Sequence, residues 1–249
     1  MGNEWELPAN VEKSTIERVR GGGFSWESGV HDAAIKMVYL NQAESEAISF
    51  NVVLENAEGK ELKEAFWIKS GKAKGNKTYY TKDKKDYPLP GYSVANSLCV
   101  AVTGESLAKS MATAEKKTIN IYDFKAGKEV PVERPVLMGL TGKHIKVAVH
   151  NVLEDKRKKN NTNGQYEPTG ETRTVNECKF FGNVDGKTAE EILEGQPATM
   201  FDAWAAKNTG TVIDKSTKKV AGVSAAAIMN GAGGTASTPA QPAASLFQK

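Results

Sequence analysis

The stretch ISFNVVLENAEGKELKEAFWIK (48–69) decides the fold class of this 249-residue chain. On both sides of the polar run ENAEGKE (55–61), apolar residues recur at alternate positions. Such alternation is typical of strands that bury one face, and the polar run supplies a turn. The stretch therefore predicts a hairpin or meander. Its inward-facing positions are Ile48, Phe50, Val52, Leu54, Leu62, Phe66 and Ile68.

The residues before this hairpin support two interpretations. Apolar residues at 30, 33, 34, 37 and 38 fit a helical stripe, whereas Met37, Tyr39 and their bulky neighbours suit a strand. Residues 1–23 are polar and end in three consecutive glycines, which predicts an N-terminal arm or a short helix followed by a flexible joint.

Further strands and a few helices are predicted after the hairpin. GYSVANSLCVAV (91–102) predicts a short apolar helix, TINIYDF (118–124) a strand, and the segment with Pro131 and Pro135 a connection. Strands are expected at about 143–153 and 172–181, joined by an 18-residue loop, and loops of that length tend to be functional or disordered. Thr188 and Glu191 form a capping box, and a second helix ends before Gly210. The chain is therefore expected to be mainly β, with one folded domain over 24–219.

The last 30 residues differ in composition from the rest. Residues 220–249 are rich in Ala, Gly, Ser, Thr and Pro, and Lys249 carries their only charged side chain. Such a sequence predicts a flexible tether. Its end, SLFQK, places Leu246, Phe247 and Lys249 at an apolar tip that is either a plain terminus or a peptide offered to a partner protein.

Sequence signals of catalysis, metal binding and membrane insertion are missing. GKAKGNKT (71–78) approaches a phosphate-binding loop, but Asn76 stands where that motif requires glycine. Cys99 and Cys178 are isolated and are expected to be buried thiols, and the three histidines lack a metal-binding spacing. No apolar run reaches the roughly 18 residues of a membrane span, and the N-terminus lacks the features of a secretory signal. We therefore expect a cytoplasmic protein, neither an enzyme nor dependent on a cofactor.

Positive charge and aromatic rings are concentrated in one window, residues 63–92. It holds eight lysines against three acidic residues, and six of the 19 aromatic residues of the chain. Residues 1–62, by contrast, carry 5 basic and 11 acidic side chains. Single-stranded nucleic acid offers phosphates to lysines and unpaired base faces to rings, whereas a duplex hides its base faces. The alternative is structural: Phe66 faces the core, Tyr87 and Tyr92 pack a turn, one of Tyr79 and Tyr80 is buried, and the lysines only solubilise a loop.

Three stretches extend this interpretation: LPGYSVANSLC (89–99), INIYDFKAGKEVPVERPVLMGLTGK (119–143) and YEPTGETRTVNECKFF (166–181). Over about residues 24–218 the chain resembles the single-stranded DNA-binding proteins of tailed bacteriophages. The resemblance implies an oligonucleotide/oligosaccharide-binding (OB) barrel of five strands with added helices and extended β loops. It also implies a protein of the host cell cytoplasm that coats single strands during phage replication, recombination and repair. In related proteins an acidic tail with an apolar tip recruits partner enzymes; this tail keeps the tip, which implies replication or transcription partners, but lacks the acidic run.

The expected DNA contacts fall in two loops flanking a groove. In the first, residues 71–87 with the end of the preceding strand, lysines follow phosphates and aromatic rings stack on bases; in the second, residues 154–171, a basic run clamps the strand from the opposite side. Two other hypotheses stay open: a phage interaction or structural module whose barrel binds protein, and an accessory domain of a nuclease or ligase. The predicted DNA-binding residues are Trp67, Lys69, Lys72, Lys74, Lys77, Tyr79, Tyr80, Lys82, Lys84, Lys85, Tyr87, Lys156, Arg157, Lys158 and Lys159.

Overall fold

The computed structural model describes residues 25–123, 126–162 and 164–217. The predicted arm (1–23) and tail (220–249) lie outside these residues. The described chain is mainly β, as predicted. Its strands are β1 (Gly29–Gln42), β2 (Ile48–Asn56), β3 (Glu61–Lys69), β4 (Tyr79–Lys82), β5 (Lys85–Pro88), β6 (Glu115–Asp123), β7 (Lys128–Val136), β8 (His144–Lys159), β9 (Tyr166–Gly182) and β10 (Val212–Asp214). Its helices are α1 (Pro90–Thr103), α2 (Leu107–Ala112), α3 (Ala189–Leu193) and α4 (Met200–Asn208).

The predicted hairpin forms the β2–β3 part of an antiparallel meander. Phe50, Val52 and Leu54 of β2 are buried, as are Phe66 and Ile68 of β3, so the period of two reports the core face correctly. Strand β1 pairs with β2 along its second half and with β8 along its first half. Strand β9 pairs with the other edge of β8, which gives the strand order β3-β2-β1-β8-β9.

Strand β1 resolves the ambiguity at residues 30–41. Its register shifts between Ile35 and Met37, where a β-bulge leaves one extra residue unpaired. Ala33 and Ile35 face the core before the bulge, and Val38 faces it afterwards. The bulge interrupts the period of two, so the buried residues Ile35 and Val38 are three positions apart, which is also a spacing found along one face of a helix.

The two end strands of this order, β3 and β9, approach each other without backbone pairing between their described residues. Phe66 of β3 meets Phe181 of β9 edge to face, with ring centroids 5.9 Å apart. Glu64, which shares the inward face of β3, forms a hydrogen bond with the backbone of Cys178 on β9. Helix α1 packs against both strands and buries Leu98. The core thus lies between the curved sheet and α1.

Two sequence predictions about connections were wrong. The segment with Pro131 and Pro135 is strand β7, which pairs with β6 along its whole length and with β1 only at Val136. Proline lacks an N–H donor. It is tolerated in β7 because the edge of β7 away from β6 pairs with another strand at a single residue. Residues 154–171 are not a loop: β8 and β9 continue as a two-stranded arm, paired as far as Lys159 with Tyr166.

Several local predictions were correct. Helix α1 covers the predicted apolar helix, and the capping box of Thr188 and Glu191 begins α3. Cys99 and Cys178 are buried free thiols. None of the helices in the described ranges combines the length and apolar character that a membrane crossing demands.

Candidate nucleic-acid interface

The lysine segment, residues 69–88, is anchored on the turn between β1 and β2. The backbone N–H of Lys72 donates to the Ser45 carbonyl oxygen over 2.8 Å, and the Asn76 side-chain amide donates to Glu46 Oε2 over 2.8 Å. Gly71 allows this approach, since a Cβ there would lie 2.7 Å from the Ser45 carbonyl oxygen. A short 3₁₀ turn, Lys72–Lys74, follows. The segment therefore begins at a fixed position beside the sheet.

The second half of the segment is the β4–β5 hairpin, whose eight strand residues are all exposed. Asp83 and Lys84 occupy its two-residue turn with φ of 51° and 61°, the left-handed conformation that such a turn requires. The pairing Tyr80↔Tyr87 and Lys82↔Lys85 puts these two tyrosines and two lysines on one face of the ribbon. The Tyr80 and Tyr87 rings stack at 5.6 Å with 25° between their planes.

Tyr79 lies on the opposite face of this hairpin. It is exposed, and the ammonium of Lys77 lies 5.1 Å from the centre of its ring. Tyr79 and Tyr80 do point to opposite faces, but neither is buried, because the hairpin has water on both sides. The structural interpretation of these two rings is therefore wrong.

Trp67 is the most clearly presented ring of the predicted set. It projects from the outer face of β3 and is 52% exposed, while its neighbours Phe66 and Ile68 point into the core. Beside it lies a groove of about 750 Å³, bounded also by the β1–β2 turn, the start of the lysine segment and the first residues of α1. Small residues, among them Ala47, Ala65 and Ala73, leave this space open. The groove has the dimensions of a ligand pocket.

The groove is positive because its charged lining consists of lysines alone, Lys69 and Lys74. Among the described residues, no carboxylate forms an ion pair with any of Lys69, Lys74, Lys77, Lys82, Lys84 or Lys85. Lys72 lies 4.0 Å from Glu46, at the limit of an ion pair, and its side chain is 81% exposed. Lys36, by contrast, binds Glu55 and Glu61 at 2.8 Å each. The lysine segment therefore has charge available for an external anion.

The outer face of the sheet continues from Trp67 with uncharged polar side chains. Trp67 pairs with Ser49 of β2, and Ser49 pairs with Asn41 of β1, so these three residues form a row across the sheet. Asn51 donates from its amide to the Ser49 hydroxyl over 3.0 Å. At the far end of the row, Nε of Arg134 donates to Asn41 Oδ1 over 2.9 Å. Arg134 was not among the predicted residues, because its strand was interpreted as a connection.

The second predicted cluster, Lys156 to Lys159, stands on the β8–β9 arm, away from the lysine segment. All four side chains are exposed, but Lys156 is paired with Glu171 at 2.9 Å. Tyr166, opposite Lys159, is 64% exposed and was not predicted. No hydrogen bond or ion pair between described residues links the two clusters. The predicted tip residues Leu246, Phe247 and Lys249 lie outside the described residues.

Neither protein families nor curated proteins provide a relative for this chain. No protein-family model matches it, and no curated protein matches it.

Among the described residues, no three side chains of the His, Cys, Asp or Glu type come together as metal ligands would. The function of this chain must therefore be inferred from the surface just described.

Proposed function

We propose that this protein binds single-stranded DNA without sequence specificity, through lysine–phosphate contacts and stacking of bases on aromatic rings. The observation that carries the proposal is Trp67, half-exposed beside a groove whose charged lining is lysine only. A base stacked on such a ring gains roughly 1–3 kcal/mol, and each lysine adds affinity by releasing counterions from the phosphates.

The arrangement favours a single strand over a duplex. The rings of Trp67, Tyr80 and Tyr87 are exposed, and only unpaired bases offer flat faces that can stack on such rings. Phosphates alone would need lysines but no rings. The β8–β9 arm, with Arg157, Lys158 and Lys159, provides a second basic surface for a longer strand.

The fold we propose for this activity is an OB-type barrel. Its five strands would be β1, β2, β3, β8 and β9, with α1 between the third and fourth. The strand order and the contact of Phe66 with Phe181 support this assignment. OB folds bind oligonucleotides on the face of their second and third strands and on two loops, those joining strands one to two and four to five. In this chain those regions are the Trp67 face, the turn that holds the lysine segment, and the β8–β9 arm.

The role proposed for this binding is to cover strands exposed during phage replication, recombination and repair in the host cytoplasm, with no catalysis by this chain. The C-terminal tip would then contact a replication or transcription protein. Protection of labelled single strands against an added nuclease measures the covering activity directly.

The proposed binding is tested by titrating a labelled oligo-dT and a duplex of the same length at two salt concentrations. We expect the single strand to bind more tightly, with affinity falling steeply as salt rises. The Trp67→Ala variant should lose about 1–3 kcal/mol of binding free energy, and Trp67→Phe should retain most of it. Preference for the duplex, or affinity indifferent to salt, would show that the surface serves another purpose.

A further inference from the structure

The β6–β7 hairpin lies over the outer face of β1, β2 and β3. A cavity of about 470 Å³ is bounded by Met37, Tyr39, Val53 and Lys63 of the sheet and by Ile121 and Tyr122 of the hairpin. A second cavity of about 540 Å³ borders the hairpin near Arg134. The hairpin is attached to the sheet mainly through the β1–β7 contact at Val136. Lys63 and Trp67 are an even number of residues apart on β3, so the first cavity, called the passage below, lies on the same outer face of the sheet as Trp67.

The hairpin has one apolar face that its own fold does not fully bury. The pairs Ile119↔Val132 and Ile121↔Val130 put four branched residues on the same side of the ribbon, and all four are only partly buried. Of these residues, Ile121 borders the passage. With Met37, Val53 and the rings of Tyr39 and Tyr122, it gives the passage an apolar lining suited to the flat face of a base.

The passage differs from the Trp67 groove in its charge. Lys36 and Lys63 are balanced by Glu61 and Glu129 along its lining. Lys36 and Lys63 are, moreover, already paired with Glu61 at 2.8 Å and 3.4 Å. Phosphates therefore gain little here, and a strand would be held mainly through its bases.

Arg134 borders the second cavity, and its charge acts on Tyr39. Partial burial raises the pKa of the Tyr39 hydroxyl, and the positive charge of Arg134 opposes this rise. Its guanidinium donates to Asn41 and to the carbonyl oxygen of Glu133, which fixes its position.

We infer that this passage is a second base-binding site, which takes the part of a DNA single strand that extends beyond Trp67. In it, bases contact Tyr39 and Tyr122 beneath the β6–β7 hairpin. The inference rests on the proposed function and adds a property to it: the passage contributes affinity that does not depend on salt, whereas the lysine segment contributes affinity that does.

The test compares Tyr122→Ala with Tyr122→Phe, using two lengths of oligo-dT at two salt concentrations. One oligomer has about 20 nucleotides and the other about 4, which brackets the roughly 4–16 nucleotides that one OB fold covers. We expect Tyr122→Ala to weaken binding of the long oligomer roughly five- to hundredfold at both salt concentrations, with an unchanged salt slope. Binding of the short oligomer, held at Trp67, should not change. Tyr122→Phe keeps the ring and should behave as the parent protein.

A footprint gives an independent measurement without substitution. The long oligomer should slow hydroxyl-radical modification of Tyr122, and the short one should not. For the titrations, the control is Leu193→Ala, which removes an apolar side chain that is 75% exposed on α3, and binding of both oligomers should be unchanged.

The outcomes separate the two proposals. If Trp67→Ala weakens binding of both oligomers while Tyr122→Ala changes neither and Tyr122 is not protected, the second site is wrong and the proposed function stands. A lowered salt slope in Tyr122→Ala would also overturn the inference. If no oligo-dT binds the parent protein, the proposed function itself fails.

Discussion

Tyr80 and Tyr87 face each other across the β4–β5 hairpin with their rings stacked, 5.6 Å between centroids and 25° between planes. The hairpin has no core of its own, and an isolated two-stranded hairpin is marginally stable in water. An aromatic pair adds about 0.5–1.5 kcal/mol beyond the area it buries. The stack therefore orders the surface that presents Lys82 and Lys85.

This relationship predicts that the two tyrosines act as one unit in DNA binding. We expect Tyr80→Ala and Tyr87→Ala each to lose nearly as much affinity for oligo-dT as the double variant, because removing either ring releases the other. Tyr79→Ala, on the opposite face, should add independently to either. A double-mutant cycle measures the coupling, and losses that simply add for the Tyr80–Tyr87 pair would contradict the prediction.

The ion-pairing pattern predicts which lysines contribute to salt dependence. Lys74→Gln should lower the slope of log K against log salt concentration by about 0.7, the value for one phosphate contact on a single strand. Lys36→Gln is the matched control and should leave the slope unchanged, because Glu55 and Glu61 already neutralise Lys36. Equal slopes for Lys74→Gln and the parent protein would show that Lys74 does not contact a phosphate.

Glu64 predicts a pH dependence of folding stability. The pKa of this carboxyl is raised to about 7, because the effect of burial and of the nearby Glu177 exceeds the opposing effect of the Cys178 backbone hydrogen bond and of Lys179. The folded state therefore keeps the proton at a pH where the unfolded state has lost it. The free energy of unfolding should decrease as pH rises from about 4.5 to 7, by up to about 3 kcal/mol at 1.36 kcal/mol per pKa unit.

The variant Glu64→Gln tests this dependence. The uncharged amide removes the cost of a buried carboxylate, so urea unfolding should show a variant more stable than the parent protein at pH 8 and similar to it at pH 4. Glu129→Gln, at an exposed position of β7, is the control and should follow the parent protein. A parent protein whose stability is flat between pH 4 and pH 8 would contradict the assignment.

The close contact between Gly91 of α1 and the backbone of Trp67 predicts that only glycine fits at position 91. A Cβ at this position would lie 2.4 Å from the backbone oxygen and 2.7 Å from the backbone nitrogen of Trp67. Gly91→Ala should therefore push α1 away from β3 and destabilise the fold by about 1–3 kcal/mol, the usual cost of overpacking. Gly139→Ala meets no atom within 4 Å and should have little effect on thermal unfolding. Similar melting temperatures for the two variants would show that α1 adjusts without cost.

Much of the fold and of the Trp67 surface was predictable from local pattern. Alternation about Leu62 and Ile68 places Phe66 inside and Trp67 outside, because successive side chains of a strand point to opposite faces. Composition alone located the lysines and tyrosines of residues 63–92. The bulge in β1, the prolines in β7 and the length of the β8–β9 arm were missed, since each departs from the regular pattern of its element.

The sequence by itself determined that the chain is mainly β, which residues of β2 and β3 are buried, and where positive charge and rings are concentrated. Only the tertiary structure decided that Trp67, Ser49 and Asn41 form one row, that small residues leave a groove beside Trp67, and that β6 and β7 lie over the sheet. The physical reason is the separation, along the chain, of the residues that must come together. Periodicity records whether a residue faces the core, which its own strand decides, whereas a surface site depends on which distant strands become neighbours when the core closes.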